Sequence, residues 1–100
     1  MPIIYHITTL PEWDHARENG AYEAASLKEE GFIHCAQENQ VAGVLERYFA
    51  GKNDLVKLTI DTEKLTSNLV YDWSPSTQDT FPHIYGALNL DAVVTTERLN

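Results

Sequence analysis

The sequence predicts a small α+β domain. Apolar residues recur at helical spacing in only two segments, both in the first half of the chain. Short runs rich in β-branched and aromatic residues crowd the second half. Strands and helices therefore do not alternate as a doubly wound α/β fold requires. No glycine-rich phosphate loop follows a strand, which removes the Rossmann and P-loop readings.

Taken in order, Ile3 to Thr8 reads as a first strand. Thr9, with Glu12 three residues on, forms a capping box, and Pro11 suits a first helical turn. The helix runs to about Asn19, burying Leu10, Trp13 and Ala16, and Gly20 ends it. Residues 21–31 read as a loop with one short turn, closed by Gly31. Phe32 to Cys35 is a short apolar strand. From Gln37 to Phe49 the pattern is helical, with Val41, Val44, Leu45, Tyr48 and Phe49 on one face and Gly51 as the stop. Asp54 to Ile60 reads as a strand, and Asp61 caps a single turn, Thr62 to Leu65. Leu69 to Asp72 is a further strand. Trp73 to Thr80, polar and carrying Pro75, is expected to be a flexible loop. Phe81 to Tyr85 is a short extended segment, and Ala92 to Thr96 is the last strand.

The 100 residues are the size of one domain, 1–100, and no repeat or linker divides them. The 43% hydrophobic content is that of a globular chain with one modest core. Seven basic residues against 15 acidic ones give a formal charge of −8. The basic residues are also scattered along the chain, which argues against DNA or bulk RNA as a partner and against an anionic membrane surface. The start, Met1-Pro2-Ile3-Ile4-Tyr5-His6, has neither a basic segment nor a long apolar run, so a cytoplasmic location is expected. Cys35 is the one cysteine, which fits a reducing compartment.

Candidate chemistry centres on histidine. His15 lies mid-helix among charged neighbours and reads as a solvated surface residue. His6, His34 and His83 lie in three separate extended segments, where alternate side chains share a face. His6 then shares a face with Ile4 and Thr8, His34 with Phe32, and His83 with Phe81 and Tyr85. Each would sit in apolar surroundings, either as a packing histidine satisfied by backbone carbonyls or as part of a site. Cys35 follows His34 directly, so strand parity turns it to the opposite face, and a buried structural thiol is the better reading. No pair of histidines at helical spacing and no cysteine cluster signals a metal. Asp72 reads either as a turn carboxylate or as a site residue.

Set together, the motifs Tyr5-His6-Ile7-Thr8, Ser26-Leu27, Glu30-Gly31-Phe32-Ile33-His34-Cys35, Gln40-Val41 and Phe81-Pro82-His83-Ile84-Tyr85-Gly86 resemble the small bacterial family called domain of unknown function 952. The resemblance spans Ile4 to about Val94. It departs from the usual pattern at Ala36, where serine is common, and at Asp72, where glutamate is common. The resemblance implies an ADP-ribosylation-like α+β fold, with small mixed or antiparallel sheets and two main helices. It also implies an ADP-ribosyltransferase-like enzyme that binds NAD or a related ADP-ribosyl compound. The alternative is a non-catalytic nucleotide- or metabolite-binding domain of the same fold. The implied catalytic positions are His6, His34, His83 and Asp72. The implied cofactor-binding positions are Thr8, Ser26, Phe32 and Tyr85, with a nucleotide as small-molecule ligand and no metal. Cleaving the nicotinamide–ribose bond passes through an oxocarbenium-like state. His6 and Thr8 would hold ribose hydroxyls, Tyr85 or Phe32 would stack on a flat ring, and Asp72 or a neutral histidine would deprotonate the acceptor.

Overall fold

Eight strands and three α-helices build the chain in a computed structural model that describes residues 2–99. β1 (Ile3–Thr9) alternates as its sequence suggests. Ile4, His6 and Thr8 are all buried, and they pair across to Ile60, Leu58 and Val56. The chain then turns into α1 (Leu10–Asn19), whose first turn carries Pro11 and is capped by Thr9, the Thr9 hydroxyl accepting from the Glu12 amide. Gly20, at φ 86°, closes the helix with its N–H on the Ala16 carbonyl at 2.9 Å. The helix buries Trp13 and Ala16.

Residues 21–31 differ from the loop expected. They form β2 (Ala21–Tyr22) and α2 (Ala25–Glu30) before Gly31. A two-residue strand carries no periodicity, and this one exists only because it pairs with distant β7 (Leu88–Asn89). β3 is shorter than expected, Ile33–His34, although the Cys35 amide still bonds the Pro82 carbonyl at 3.0 Å. The second amphipathic segment opens as a 3-10 turn, Glu38–Gln40, and continues as α3 (Val41–Tyr48). No α3 residue is buried, so its apolar stripe is not a core face.

β4 (Leu55–Asp61) is the middle strand of its sheet, and Asp61 caps the turn Thr62–Lys64 by accepting from the Glu63 amide at 3.0 Å. Half of the expected flexible loop 73–80 is strand. β5 (Asn68–Ser74) and β6 (Asp79–Tyr85) form a hairpin in register, leaving 75–78 as the turn, with Gln78 at φ 53°. Buried Gln40 ties that hairpin to the start of α3. Its Nε2 donates to Asp79 Oδ2 at 2.8 Å and to the Thr80 carbonyl at 2.9 Å. Local composition hides such a long-range tie. The last strand, β8 (Val93–Arg98), starts one residue later than expected and runs further, after a 3-10 turn, Leu90–Ala92.

The strands make three antiparallel sheets, ordered β1-β4-β8, β2-β7 and β3-β6-β5. Ile4, Ile33, Leu58, Ile60, Ile84 and Leu88 are fully buried where the sheets and α1 meet. The two three-stranded sheets join at one point. The Tyr5 amide donates to the Ala36 carbonyl at 2.8 Å, and the Ala36 amide returns to the Tyr5 carbonyl at 2.7 Å. β5 is an edge strand and exposes Tyr71 and Trp73, the latter at 62%.

Gly86 has φ 154°, and a Cβ there would stand 2.4 Å from the Ser67 hydroxyl and 2.8 Å from the Ser67 Cβ. The hydroxyl donates to the Ala87 carbonyl at 2.8 Å, so it cannot swing away without losing that bond. Gly86→Ala is expected to cost about 1–3 kcal/mol. The check is a lower urea midpoint with an unchanged slope.

Candidate functional site

His6 lies inside the protein at the seam between the sheets. Its Nδ1 meets the His34 carbonyl at 2.5 Å and its Nε2 meets the Tyr22 hydroxyl at 2.8 Å. A carbonyl only accepts, so Nδ1 carries a proton, and a neutral ring then accepts from Tyr22 at Nε2. The Tyr22 oxygen and Thr8 Oγ1 are 3.0 Å apart, and Thr8 Oγ1 reaches Glu12 Oε1 at 3.4 Å. Burial pushes the His6 pKa down to about 4 and raises that of Tyr22. His6 is thus a neutral, fully satisfied ring, and Thr8 is sealed beneath it.

His34 and His83 occupy different surroundings. They face each other in the β3–β6 register, and their rings stand edge to face with centroids 5.0 Å apart. Phe32 stacks on His83 at 4.1 Å and lies 5.2 Å from the Tyr85 ring. Asp72 Oδ2 accepts from His83 Nδ1 at 2.8 Å and from the Tyr85 hydroxyl at 2.5 Å. Those two bonds, the tyrosine's first, hold the Asp72 carboxyl below its ordinary pKa and lift that of Tyr85. On the other side His34 Nε2 meets Glu30 Oε2 at 2.9 Å, both side chains half exposed. The result is a row, Glu30, His34, His83, Asp72, in which each histidine is held by its own carboxylate.

At His34 this row meets a cavity of about 370 Å³. Tyr5 and Ile7 of β1, Val44 and Tyr48 of α3, Phe49 and Phe81 make its apolar walls. His6, Ser26 and His34 also line it, so His34 belongs to both cavity and row. The volume falls at the low end of small-molecule sites, roughly 300–1,000 Å³. Among the described residues, no group of three or more His, Cys, Asp or Glu is placed to hold a metal ion.

The residues singled out in the sequence thus fall into three places. His34, His83, Asp72, Phe32 and Tyr85 come together on one open face of the β3-β6-β5 sheet. Ser26 lines the cavity. His6 also lines the cavity and, with Thr8, belongs to a buried column bonded to protein groups. His34 is exposed rather than set in apolar surroundings, because its strand is only two residues long and its ring leans outward onto Glu30. Asp72 lies within β5 rather than at a turn. Cys35 is turned inward as parity requires, and burial raises its thiol pKa. Sequence reasoning missed Tyr22, which orients His6. It also missed Glu30, four residues before His34, and the cavity face of α3. The amphipathic stripe of α3 was the available signal for that last feature.

The His6 environment makes stability pH-dependent. The unfolded histidine takes a proton near pH 6.5, while the folded one resists it down to about 4. The contribution is complete above about pH 6.5 and is lost as pH falls toward 4, for a total of about 3 kcal/mol. Urea titrations between those limits should show this loss, and His6→Asn should flatten it. Tyr22→Phe leaves a buried ring nitrogen without its partner and should cost about 1–3 kcal/mol at neutral pH, measured as a fall in the urea midpoint.

Comparison with known proteins places this geometry. Three solved structures of protein CC0527 from Caulobacter crescentus share the fold. Its crystal structure matches at 31% identity and TM-score 0.90, covering 99% of this chain and 87% of that one. The crystal structure of a double mutant of the same protein matches at 30% identity and TM-score 0.90, with the same coverage. Its solution structure matches at 32% identity and TM-score 0.84, covering 100% and 86%. No curated protein matches. Residues 7–96 match the family described as protein of unknown function DUF952. The chain belongs to the DUF952 family.

Proposed function

We propose that this protein is an ADP-ribosyltransferase-like enzyme that takes NAD or a related ADP-ribosyl compound in the cleft formed by the cavity and the open histidine face. The observation that carries the reading is the row Glu30, His34, His83, Asp72, whose His34 also lines a cavity large enough for part of a dinucleotide. Asp72 is already occupied by two donors and is held ionised, which makes it a poor proton acceptor and a good anchor. With Nδ1–H fixed on Asp72, His83 in its neutral form offers a lone pair at Nε2. His83 is therefore the general base of the proposal, and Asp72 fixes its tautomer.

The proposed step breaks the ribose C1′–nicotinamide nitrogen bond, and the electron pair leaves with nicotinamide. An acceptor oxygen forms the new bond to C1′, and its proton passes to His83 Nε2. The Glu30 and Asp72 carboxylates supply negative potential where the oxocarbenium-like charge develops. NAD would remain a substrate by this reading, and no metal is called for.

One observation favours the non-catalytic alternative, a nucleotide- or metabolite-binding domain. Both carboxylates of the row are tied to histidines, so neither reaches toward a ligand unaided. A single experiment separates the two readings. NAD is added to isotope-labelled protein, histidine ring resonances are followed, and released nicotinamide is measured. The enzyme reading expects nicotinamide release, falling about 10²–10⁴-fold in His83→Ala. Saturable shifts at His34 and His83 without release support the binding module. Neither shifts nor release sinks both.

A further inference from the structure

The chain is acidic overall, yet its few cations are not evenly spread around the cavity. Three of its seven basic residues lie against rings that wall it. The Arg47 guanidinium is 5.9 Å from the Tyr48 ring centroid, the Lys52 ammonium 5.5 Å from that of Phe49, and the Lys57 ammonium 5.2 Å from that of Tyr5. They come from three elements, α3, the segment after it and β4, and each stands beside a wall ring rather than in the lining itself. Cation–π attraction holds each charge beside the wall. No residue lining the cavity is an aspartate or glutamate. Lys57, itself partly buried, also pairs with exposed Glu97 at 3.5 Å.

An apolar interior and a cationic rim select for a particular chemistry. A purely apolar ligand gains nothing from the rim, and a free phosphate gains nothing from the walls. We infer that Arg47, Lys52 and Lys57 bind the phosphate of a nucleotide whose flat base enters the aromatic-walled cavity. This inference rests on the nucleotide reading above and adds to it the residues that read the charge. Against a chain of net charge −8, an anion approaching elsewhere meets repulsion, so the rim also decides where a phosphate can land.

The test compares AMP, adenosine and inorganic phosphate by calorimetry on the full chain, at low and at physiological salt. Arg47→Gln, Lys52→Gln and their double variant remove charge at exposed positions, and melting curves check that each variant folds. AMP should bind more tightly than adenosine or phosphate, and salt should weaken AMP and phosphate but not adenosine. Each single variant should lower AMP affinity about threefold and the double about tenfold, with adenosine unchanged. Equal binding of AMP and adenosine, or an unaltered AMP affinity in the double variant, overturns the rim while leaving the nucleotide reading intact. No binding by AMP, adenosine or NAD overturns both.

Discussion

Two neighbouring residues of β1 hold the two three-stranded sheets together. Tyr5 exchanges a pair of backbone hydrogen bonds with Ala36, and the His6 side chain bonds the carbonyl of His34. The segment 34–36 is clamped from one side chain and one peptide unit in succession. The cavity lies beside that clamp, with Tyr5, His6, His34 and Ala36 all in its lining. The clamp also fixes His34 at the place where cavity and open histidine face meet. At Ala36 the clamp uses only backbone atoms.

The sequence was most legible where elements are long and locally punctuated. β1, α1 and β4 carry alternation, a cap and a glycine stop, and these are nearest-neighbour signals. The α+β class followed from them. β2, the true length of β5 and the start of β6 were not legible. Each exists through a partner far along the chain: Tyr22 with Leu88, the hairpin with Gln40. Within the site, strand parity grouped His34 with Phe32 and His83 with Tyr85 correctly. It had no means of telling that His6 is bonded inside the protein, because burial depends on which helix and strand cover it.

Two kinds of histidine environment therefore coexist within one small site. His6 is dry, neutral and committed to protein groups, so it contributes rigidity. His34 and His83 are partly wet and carry carboxylate partners. The separation is economical in a small protein: the buried ring fixes the backbone of the exposed one through a single carbonyl. α3 completes the arrangement by leaving its apolar stripe on the cavity instead of in the core, which a purely structural helix has little reason to do.

The two tryptophans lie in opposite environments, and this gives the molecule a pair of internal optical reporters. Trp13 is enclosed between α1 and the core. Trp73 projects from the edge strand β5, next to Ser74 on the cavity wall. A soluble collisional quencher should reach the second and spare the first in the native state. Emission at the two positions then separates events at the cavity mouth from loss of the core, without any attached label.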